Sequence, residues 1–346
     1  MKLVENVSLS NHTTFRMGGV AAYVAEVQSE EELVLALTKA ESLKLPVWIL
    51  GGGSNILIPD NQTIEAFVIK IAIPGFTVLE EESNATDIRV GAGEIWDSVV
   101  EQTVALGFSG LEALSAIPGT VGGTPVQNVG AYGQEVKNVI KSVRVYDRRT
   151  KEFHELLNEE CHFAYRDSIF KHEGKDRFVI TFVTFTLEKK EPAAPNYPGV
   201  TAYFEQAGIS KPTIVEIRKA IAAIRARKLP DPKEIASVGS FFKNPIVSKE
   251  KAFEVKNLYP NAVIFPIGEE KAKIGAGWLI ETLGFKGAVF GNLCFYEHNA
   301  LVLVNRGGAT FAELEQLISM VQNAAKEKFG ILLEPEPIFF TLAKSR

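Results

Sequence analysis

Residues 117–133 constrain the fold of this 346-residue chain more than any other stretch. The segment reads IPGTVGGTPVQNVGAYG, with five glycines, two prolines and no charged residue. Glycine and proline both interrupt helices and strands, so a regular element is excluded here. An uncharged loop is also a poor solvated linker. Close approach to a ligand explains the segment better, because glycines let the backbone come near and offer N–H groups to an anion.

A second glycine cluster, GGGSN at residues 51–55, follows a short apolar run at residues 47–50. It is neither a P-loop nor a Rossmann fingerprint, since no Gly-Lys-Ser/Thr follows and the third glycine of G-x-G-x-x-G is absent. A tight turn at the exit of a strand explains this cluster alone as well as a phosphate cradle does. The two segments together indicate a large ligand with a phosphate chain, and hence a dinucleotide.

Composition excludes several classes of protein. An apolar fraction of 46% and a charged fraction of 23% are typical of a globular protein, and the length predicts two or three domains. A net charge of −5 argues against nucleic-acid binding. No apolar run approaches the length of about 18 residues that a membrane span needs, and no signal peptide is visible, so we expect a cytoplasmic protein. The cysteines and histidines have no metal-ligand spacing, so we expect no metal.

Local patterns predict an α+β chain. Capping-box pairs begin three predicted helices, at Ser29, Thr213 and Thr310, and a fourth helix is predicted over residues 95–106. Proline and charge in residues 189–198 mark a linker or an exposed loop, which predicts a domain junction near residue 200. Residues 331–340 also have the pattern of a strand. The other strand-like runs lie at residues 47–50, 66–71, 88–92, 139–146 and 178–187.

Three polar residues stand in unusual sequence surroundings, but each has an ordinary explanation. Arg166 lies among aromatic residues, where a surface ion pair with Asp167 would account for it. Ser240 follows a glycine, and a turn or capping serine is the commoner reason for such a residue. A nucleophile elbow, G-x-S-x-G, is missing, which argues against a serine hydrolase. Glu336 lies between two prolines in a tail whose carboxylates are expected to be exposed.

Taken together, these segments resemble one family, UDP-N-acetylenolpyruvoylglucosamine reductase. The similarity extends over nearly the whole chain, and the order of its motifs makes it highly specific. The matching motifs are NHTTF at residues 11–15, GGGSN at 51–55, the segment 117–133, YRDS at 165–168, KLPDP at 228–232, GSFFKNP at 239–245, AGWLIE at 276–281 and LEPE at 333–336.

The resemblance implies an FAD-binding part of the vanillyl-alcohol-oxidase type, made of two α+β subdomains, followed by a smaller α+β substrate-binding domain. We expect the FAD-binding domain at residues 1–200, with subdomains at about 1–65 and 66–200. The substrate-binding domain should cover residues 201–330, and the tail, 331–346, should return to the FAD part. Neither glycine cluster holds a histidine, so the FAD should be non-covalent. The implied FAD contacts are Gly51, Gly52, Gly53, Ser54, Asn55, Ile117, Pro118, Gly119, Gly122, Gly123, Gln127, Asn128, Gly130, Ala131 and Tyr132.

The resemblance also implies what the site does. NADPH would reduce FAD, and a hydride would then pass to the enolpyruvyl group of UDP-N-acetylenolpyruvoylglucosamine to give UDP-N-acetylmuramate for peptidoglycan synthesis. The implied catalytic residues are Arg166, Ser240 and Glu336, and the implied substrate-binding residues are Tyr197, Lys228, Asn244 and Asn299. Two alternatives stay open: another flavoenzyme of the same fold, such as an alcohol oxidase, and a non-catalytic sugar-nucleotide sensor.

Overall fold

The chain divides into two compact units. The structure, a computed structural model, describes residues 1–60, 63–81, 84–192 and 194–340. Unit 1 consists of Met1–Val7, Ala21–Gly53 and Ile64–Ala226, and unit 2 consists of Ser8–Val20, Ser54–Thr63 and Arg227–Arg346. The long stretch of unit 1 therefore continues past the predicted junction near residue 200. The assignment of FAD and substrate domains to these units stays a prediction.

The strands are mostly short, and their bounds follow the apolar runs of the sequence. They are β1 (Lys2–Ser8), β2 (Val20–Val27), β3 (Val47–Leu50), β4 (Ile56–Leu57), β5 (Thr63–Ile71), β6 (Phe76–Glu81), β7 (Ala85–Gly91), β8 (Gly130–Ala131), β9 (Gln134–Glu135), β10 (Ile140–Asp147), β11 (Glu152–Leu157), β12 (Phe178–Glu188), β13 (Ala236–Ser240), β14 (Ile246–Ser248), β15 (Ile264–Ile267), β16 (Lys271–Ile274), β17 (Val289–Phe290), β18 (Leu293–Phe295), β19 (Val302–Asn305) and β20 (Ile338–Phe339).

Seven α-helices lie in the described part of the chain. They are α1 (Glu30–Ser42), α2 (Trp96–Ala105), α3 (Pro198–Ala207), α4 (Ile214–Lys228), α5 (Lys249–Leu258), α6 (Ala276–Thr282) and α7 (Phe311–Phe329). None of these described helices is both long enough and apolar enough to cross a membrane.

The three predicted helix starts are confirmed, with complete capping boxes at Thr213 and Thr310 but only half of one at Ser29, where the Glu32 carboxylate accepts from Gln28 N instead. Ser29 Oγ accepts a hydrogen bond from Glu32 N at 3.2 Å at the start of α1. Thr310 and Glu313 form the reciprocal capping box before α7, and Thr213 is bonded in the same way before α4. Each pair satisfies N–H groups that the first helical turn leaves without partners, so the helix starts are determined locally.

Two main sheets build unit 1. The first has the order β1-β2-β5-β3, with β3 parallel to β5 and Val47 opposite Phe67. The second has the order β11-β10-β12-β7-β6, and its central strand β12 is antiparallel to both β10 and β7. Apolar residues of both sheets and of α1 and α2 form one buried core. Strand β5, which ends at Ile71, belongs to the first sheet, and the subdomain boundary at about residue 65 stays a prediction.

Unit 2 contains the remaining sheets, β13-β19-β18-β17 and β14-β16-β15, and a pair in which β20 runs parallel to β4. Its core is formed by α6, α7 and the buried faces of these strands. The strand predicted over residues 331–340 was too long, since only Ile338–Phe339 forms a strand, β20. Pro335 and Pro337 lack the N–H groups that a longer ladder would need.

Candidate functional site

Gly51 and Gly52 of the first glycine segment lie against Gly119 and Thr120 of the second, all within unit 1. A Cβ atom at Gly52 would be 2.8 Å from the Cα of Gly119, and a Cβ at Gly51 would be 2.8 Å from Thr120 Oγ1. Gly53 and Gly119 have φ angles of +66° and +122°, which side chains disfavour. The glycines therefore let two backbone segments pack at close range.

This contact brings several backbone N–H groups together. Among the described residues, the N–H groups of Gly52, Gly53, Gly119 and Thr120 form no hydrogen bond. Thr120 Oγ1 is also buried, and it has no hydrogen-bond partner among the described residues. A cluster of N–H groups on glycine-rich backbone is typical of an anion site. The arrangement fits the diphosphate of a dinucleotide such as FAD. Thr120, which was not among the predicted FAD contacts, is an additional candidate donor.

Replacing Gly52 by alanine tests this packing. The added Cβ would push the two backbone segments apart, and we expect a loss of about 1–3 kcal/mol in the free energy of unfolding. The affinity for FAD should fall as well. Urea unfolding and FAD titration followed by flavin fluorescence measure the two effects. Gly123→Ala is the matched control for stability, because a Cβ there meets no atom within 4 Å. Unchanged stability and unchanged FAD affinity in Gly52→Ala would contradict the account.

The rest of the loop is used largely for packing. Gly122 N donates to Ala92 O at 2.9 Å, and a Cβ at Gly122 would lie 2.7 Å from the Cβ of Ala92. Gly123 lies in a 3-10 turn and donates to Thr120 O at 3.0 Å. Strand β8 pairs with β9. The other predicted FAD contacts here are half-buried, except the exposed Pro118; they are Ile117, Gln127 and Ala131.

Helix α4 holds the beginning of the loop at Ala116. Arg225 Nε donates to Ala116 O at 3.1 Å. Ala116 N donates to Asp97 Oδ1 at 2.5 Å, and Arg218 binds both oxygens of Asp97 at 2.7 and 3.1 Å. Ala116 has a φ angle of +58°, which costs a non-glycine residue about 1–2 kcal/mol. These bonds stabilise that conformation and thereby the direction in which the chain enters the loop at Ile117.

The ion pair of this network has a consequence for stability at low pH. Burial disfavours the charged carboxylate, but the Arg218 guanidinium and the Ala116 N–H outweigh it and lower the pKa of Asp97. A carboxyl group whose pKa is lowered by folding stabilises the folded state above its unfolded pKa of about 3.9. That stabilisation is lost as the pH falls through the folded-state pKa.

Asp97→Asn should therefore cost about 1–2 kcal/mol of unfolding free energy at pH 7. The difference from the wild type should shrink as the pH falls below about 4. Urea unfolding at a series of pH values measures it. Glu101→Gln is the control, because the exposed Glu101 lies 3.7 Å from the same Arg218 and should contribute little. A difference that stays constant down to pH 3 would contradict the assignment.

Tyr197 contacts a residue of the glycine loop. Its ring centroid lies 5.2 Å from that of Tyr132, with the two rings nearly perpendicular. Burial raises the pKa of Tyr132, although the nearby Arg225 charge opposes this. Tyr197 immediately precedes α3, whose first residue is a proline, as is common at that position. The structure thus brings a predicted substrate residue against a predicted FAD residue.

Arg166 lies in a tight turn beside the same loop. Its Nη2 donates to Gly130 O at 2.8 Å, and its φ angle is +55°. The sequence suggested a surface ion pair between Arg166 and Asp167. In the structure, Asp167 Oδ2 lies 2.7 Å from His172 Nε2. The guanidinium is therefore held against the glycine loop of unit 1.

Ser240 and Glu336 occupy neighbouring segments of unit 2. Glu336 N donates to Phe241 O at 2.8 Å, and Phe242 pairs with Pro335 in an antiparallel bridge. A register shift in β13, with Gly239 at a φ angle of +74°, precedes Ser240. Such bulges redirect side chains and are common at functional sites. Ser240 and Glu336 are both half-buried.

The other predicted substrate residues have varied surroundings. Lys228 is exposed at the end of α4. Asn244 Oδ1 accepts a hydrogen bond from Ala276 N at 2.8 Å at the start of α6, and Asn299 Oδ1 accepts one from Leu301 N at 3.0 Å. Both amides therefore have a local structural role, and their contact with substrate stays a prediction. No group of three His, Cys, Asp or Glu in the described ranges is arranged to hold a metal ion.

The α+β fold and the N–H cluster define a dinucleotide-binding protein, and comparison with known proteins specifies its class. A family model described as an FAD binding domain matches residues 21–154. A second model, described as the C-terminal domain of UDP-N-acetylenolpyruvoylglucosamine reductase, matches residues 231–340. The predicted fold class, with an FAD-binding part of the vanillyl-alcohol-oxidase type, is confirmed.

Similarity to whole proteins is equally extensive. The chain is 42% identical to UDP-N-acetylenolpyruvoylglucosamine reductase of Cupriavidus pinatubonensis, covering 95% of this chain and 97% of the relative. It is 41% identical to the Flavobacterium johnsoniae protein of the same name, covering 97% and 99%. The crystal structure of UDP-N-acetylenolpyruvylglucosamine reductase from Thermus caldophilus has the same fold, with a TM-score of 0.68, 24% identity and 98% of each chain covered. The chain belongs to the UDP-N-acetylenolpyruvoylglucosamine reductase family.

Proposed function

We propose that this protein is an FAD-containing reductase that uses NADPH to convert UDP-N-acetylenolpyruvoylglucosamine into UDP-N-acetylmuramate for peptidoglycan synthesis. Both proposed substrates are cytoplasmic metabolites, so the proposal places the reaction in the cytoplasm. It involves neither a nucleic acid nor a membrane partner. Family membership over nearly the full length supports the proposal.

The observation that carries the proposal is the pairing of residues 241–243, which follow Ser240, with residues 334–336. An FAD-binding domain alone would suit many flavoenzymes, including the oxidases considered above. A serine and a carboxyl group on paired segments of a second unit are an addition that an alcohol oxidase does not need. Glu336 N bonds to Phe241 O, immediately after Ser240, and this bond fixes the two segments in one register.

FAD, when bound, supplies the hydride chemistry of the reaction. The residues proposed to hold it are those of the two glycine segments, with the N–H groups of Gly52, Gly53, Gly119 and Thr120 at its diphosphate. The protein offers no histidine in either segment for a covalent link, so we propose non-covalent binding. Ser54 and Asn55 continue the first segment into unit 2.

The substrate determines what the side chains must do. Its double bond is conjugated with a carboxylate, so hydride addition at the distal carbon sends negative charge into that carboxylate. This enediolate-like species is unfavourable unless positive charge or hydrogen-bond donors are already aimed at it. Arg166 suits the task, because the guanidinium is permanently charged and its planar fork matches two oxygens. Its Nη2 donates to Gly130 O at 2.8 Å, which holds the guanidinium beside the glycine loop.

The reaction also needs a proton at the carbon next to the carboxylate. Ser240 is the proposed donor. Its hydroxyl group can give up its proton if a network of polar groups supplies another proton to the serine oxygen. Glu336 assists only in its protonated form, as a second donor to the developing charge. Pro335 and Pro337 restrict the backbone on either side of the carboxyl group.

Substrate-dependent NADPH oxidation tests the proposal. The purified protein should consume NADPH in the presence of UDP-N-acetylenolpyruvoylglucosamine, and mass spectrometry should find a product heavier by two hydrogens. UDP-N-acetylglucosamine, which lacks the enolpyruvyl group, is the matched control and should be inert. Oxygen-dependent turnover of an alcohol would favour the oxidase instead, and a protein that stays inactive with added FAD would favour the sensor.

A further inference from the structure

Arg166 lies in a strained turn that other residues must hold. The backbones of Ala164 and Asp167 exchange hydrogen bonds of 3.0 and 3.2 Å, which close a hairpin with Tyr165 and Arg166 at its tip. The φ angle of Arg166, +55°, costs a non-glycine residue about 1–2 kcal/mol. Such a conformation persists only where the surrounding structure determines it.

Two buried side chains tie this hairpin to the glycine loop. Asn128 Nδ2 donates to Ala164 O at 2.9 Å, and Ser168 Oγ donates to Val126 O at 2.6 Å. Asn128 is fully buried and Ser168 is 1% exposed. The donor side chain of each bond is therefore shielded from water, and leaving it without an acceptor would cost more than the loss of a surface bond.

The side chain of Asn128 is fully engaged with the protein. Besides Ala164 O, its Nδ2 reaches Glu135 Oε2 at 3.0 Å, and its Oδ1 accepts from Lys137 N at 3.1 Å. An amide side chain has two N–H donors and one oxygen, so each of these groups already has a protein partner. Donation from Nδ2 to FAD would therefore break one of the two bonds that Nδ2 makes.

We propose that Asn128 and Ser168 are positioning residues for Arg166. They attach the backbone of the hairpin to the loop segment 126–130, and Gly130 O in the same segment receives the guanidinium at 2.8 Å. The charge of Arg166 is thus oriented before the substrate carboxylate arrives, and no reorganisation is needed when negative charge develops. This role rests on the proposed function.

Ser168→Ala tests the proposal in the FAD-loaded protein. We expect the rate constant for substrate-dependent reoxidation of the flavin to fall about 10- to 100-fold, the size of effect that a misplacement of about 1 Å produces. The rate constant for flavin reduction by NADPH should stay at its wild-type value. Ser168→Thr keeps the hydroxyl group and should restore most of the reoxidation rate. Ser142→Ala is the control, because it removes a 2.6 Å hydrogen bond to Glu155 elsewhere in unit 1.

A double-mutant cycle separates positioning from an independent structural role. In an Arg166→Ala background, Ser168→Ala should cause almost no further loss of reoxidation rate, because the residue it positions is already absent. Additive losses in the cycle would overturn the proposal. Asn128→Ala, tested in the same two backgrounds, gives a second cycle and decides the question if the Ser168 variant does not fold.

Hydrogen exchange provides a readout that needs no substrate. In the full-length protein, Ser168→Ala should increase amide exchange in a peptide covering residues 164–168, and Ser142→Ala should not. Unchanged exchange in the Ser168 variant would overturn the positioning role. If the wild type fails to reduce the enolpyruvyl substrate, the proposed function falls while this measurement still decides whether Ser168 holds the hairpin.

Discussion

Ser240→Ala should separate the two halves of the reaction. We expect NADPH to bleach the flavin of this variant as fast as that of the wild type, because hydride transfer from NADPH needs no proton at the substrate carbon. Reoxidation by UDP-N-acetylenolpyruvoylglucosamine should slow about 10²- to 10⁴-fold, the usual size of general acid catalysis. Stopped-flow absorbance in the flavin band measures both rate constants.

The position of Ser240 allows a matched control. Ser237 lies in the same strand, β13, and is buried, so Ser237→Ala changes the same chemical group without reaching the proposed site. Its two half-reactions should match the wild type. Near-normal reoxidation of the Ser240 variant would remove Ser240 from the mechanism, and slow flavin reduction would show a defect in the cofactor site instead.

Arg166→Ala should have an effect of comparable size on the same half-reaction. Removing a donor to a developing oxyanion costs about 10²- to 10³-fold in turnover, or about 3–4 kcal/mol, and a charged bidentate donor should cost at least as much. Arg166→Lys keeps the charge but loses the planar fork, so an intermediate rate is expected. Steady-state and single-turnover kinetics of both variants measure kcat and KM.

The division between kcat and KM decides the role of Arg166. A residue that stabilises the transition state lowers kcat, whereas a residue that only binds the substrate raises KM. The exposed Arg149, on a turn of unit 1, provides the control variant Arg149→Ala, which should leave both constants unchanged. An Arg166→Ala variant with a raised KM and normal kcat would make Arg166 a binding residue.

Helix starts and the loop character of residues 117–133 were predictable because their causes are local. Ser29 and Thr310 cap helices through residues three positions away, and glycine and proline exclude regular structure wherever they cluster. The strand predicted over residues 331–340 was too long. The prediction used the hydrophobic pattern alone, which takes no account of the N–H groups that Pro335 and Pro337 lack.

The contacts that build the candidate site join distant parts of the chain. Arg218 binds Asp97 across 121 positions, and nothing in the local sequence of either residue predicts the pair. Ser240 and Glu336 were associated through the family resemblance alone, since spacing favoured ordinary roles for both. The engagement of Asn128 by Ala164 and Lys137 likewise depends on a fold that the sequence pattern does not specify.

A two-step anaerobic absorbance experiment tests the central claim most directly. NADPH is added to the purified, FAD-loaded protein until the flavin band bleaches, and UDP-N-acetylenolpyruvoylglucosamine is then added without oxygen. We expect the oxidised flavin spectrum to return, and we expect no such return with UDP-N-acetylglucosamine. A flavin that stays bleached after the enolpyruvyl substrate is added would contradict the proposed reaction.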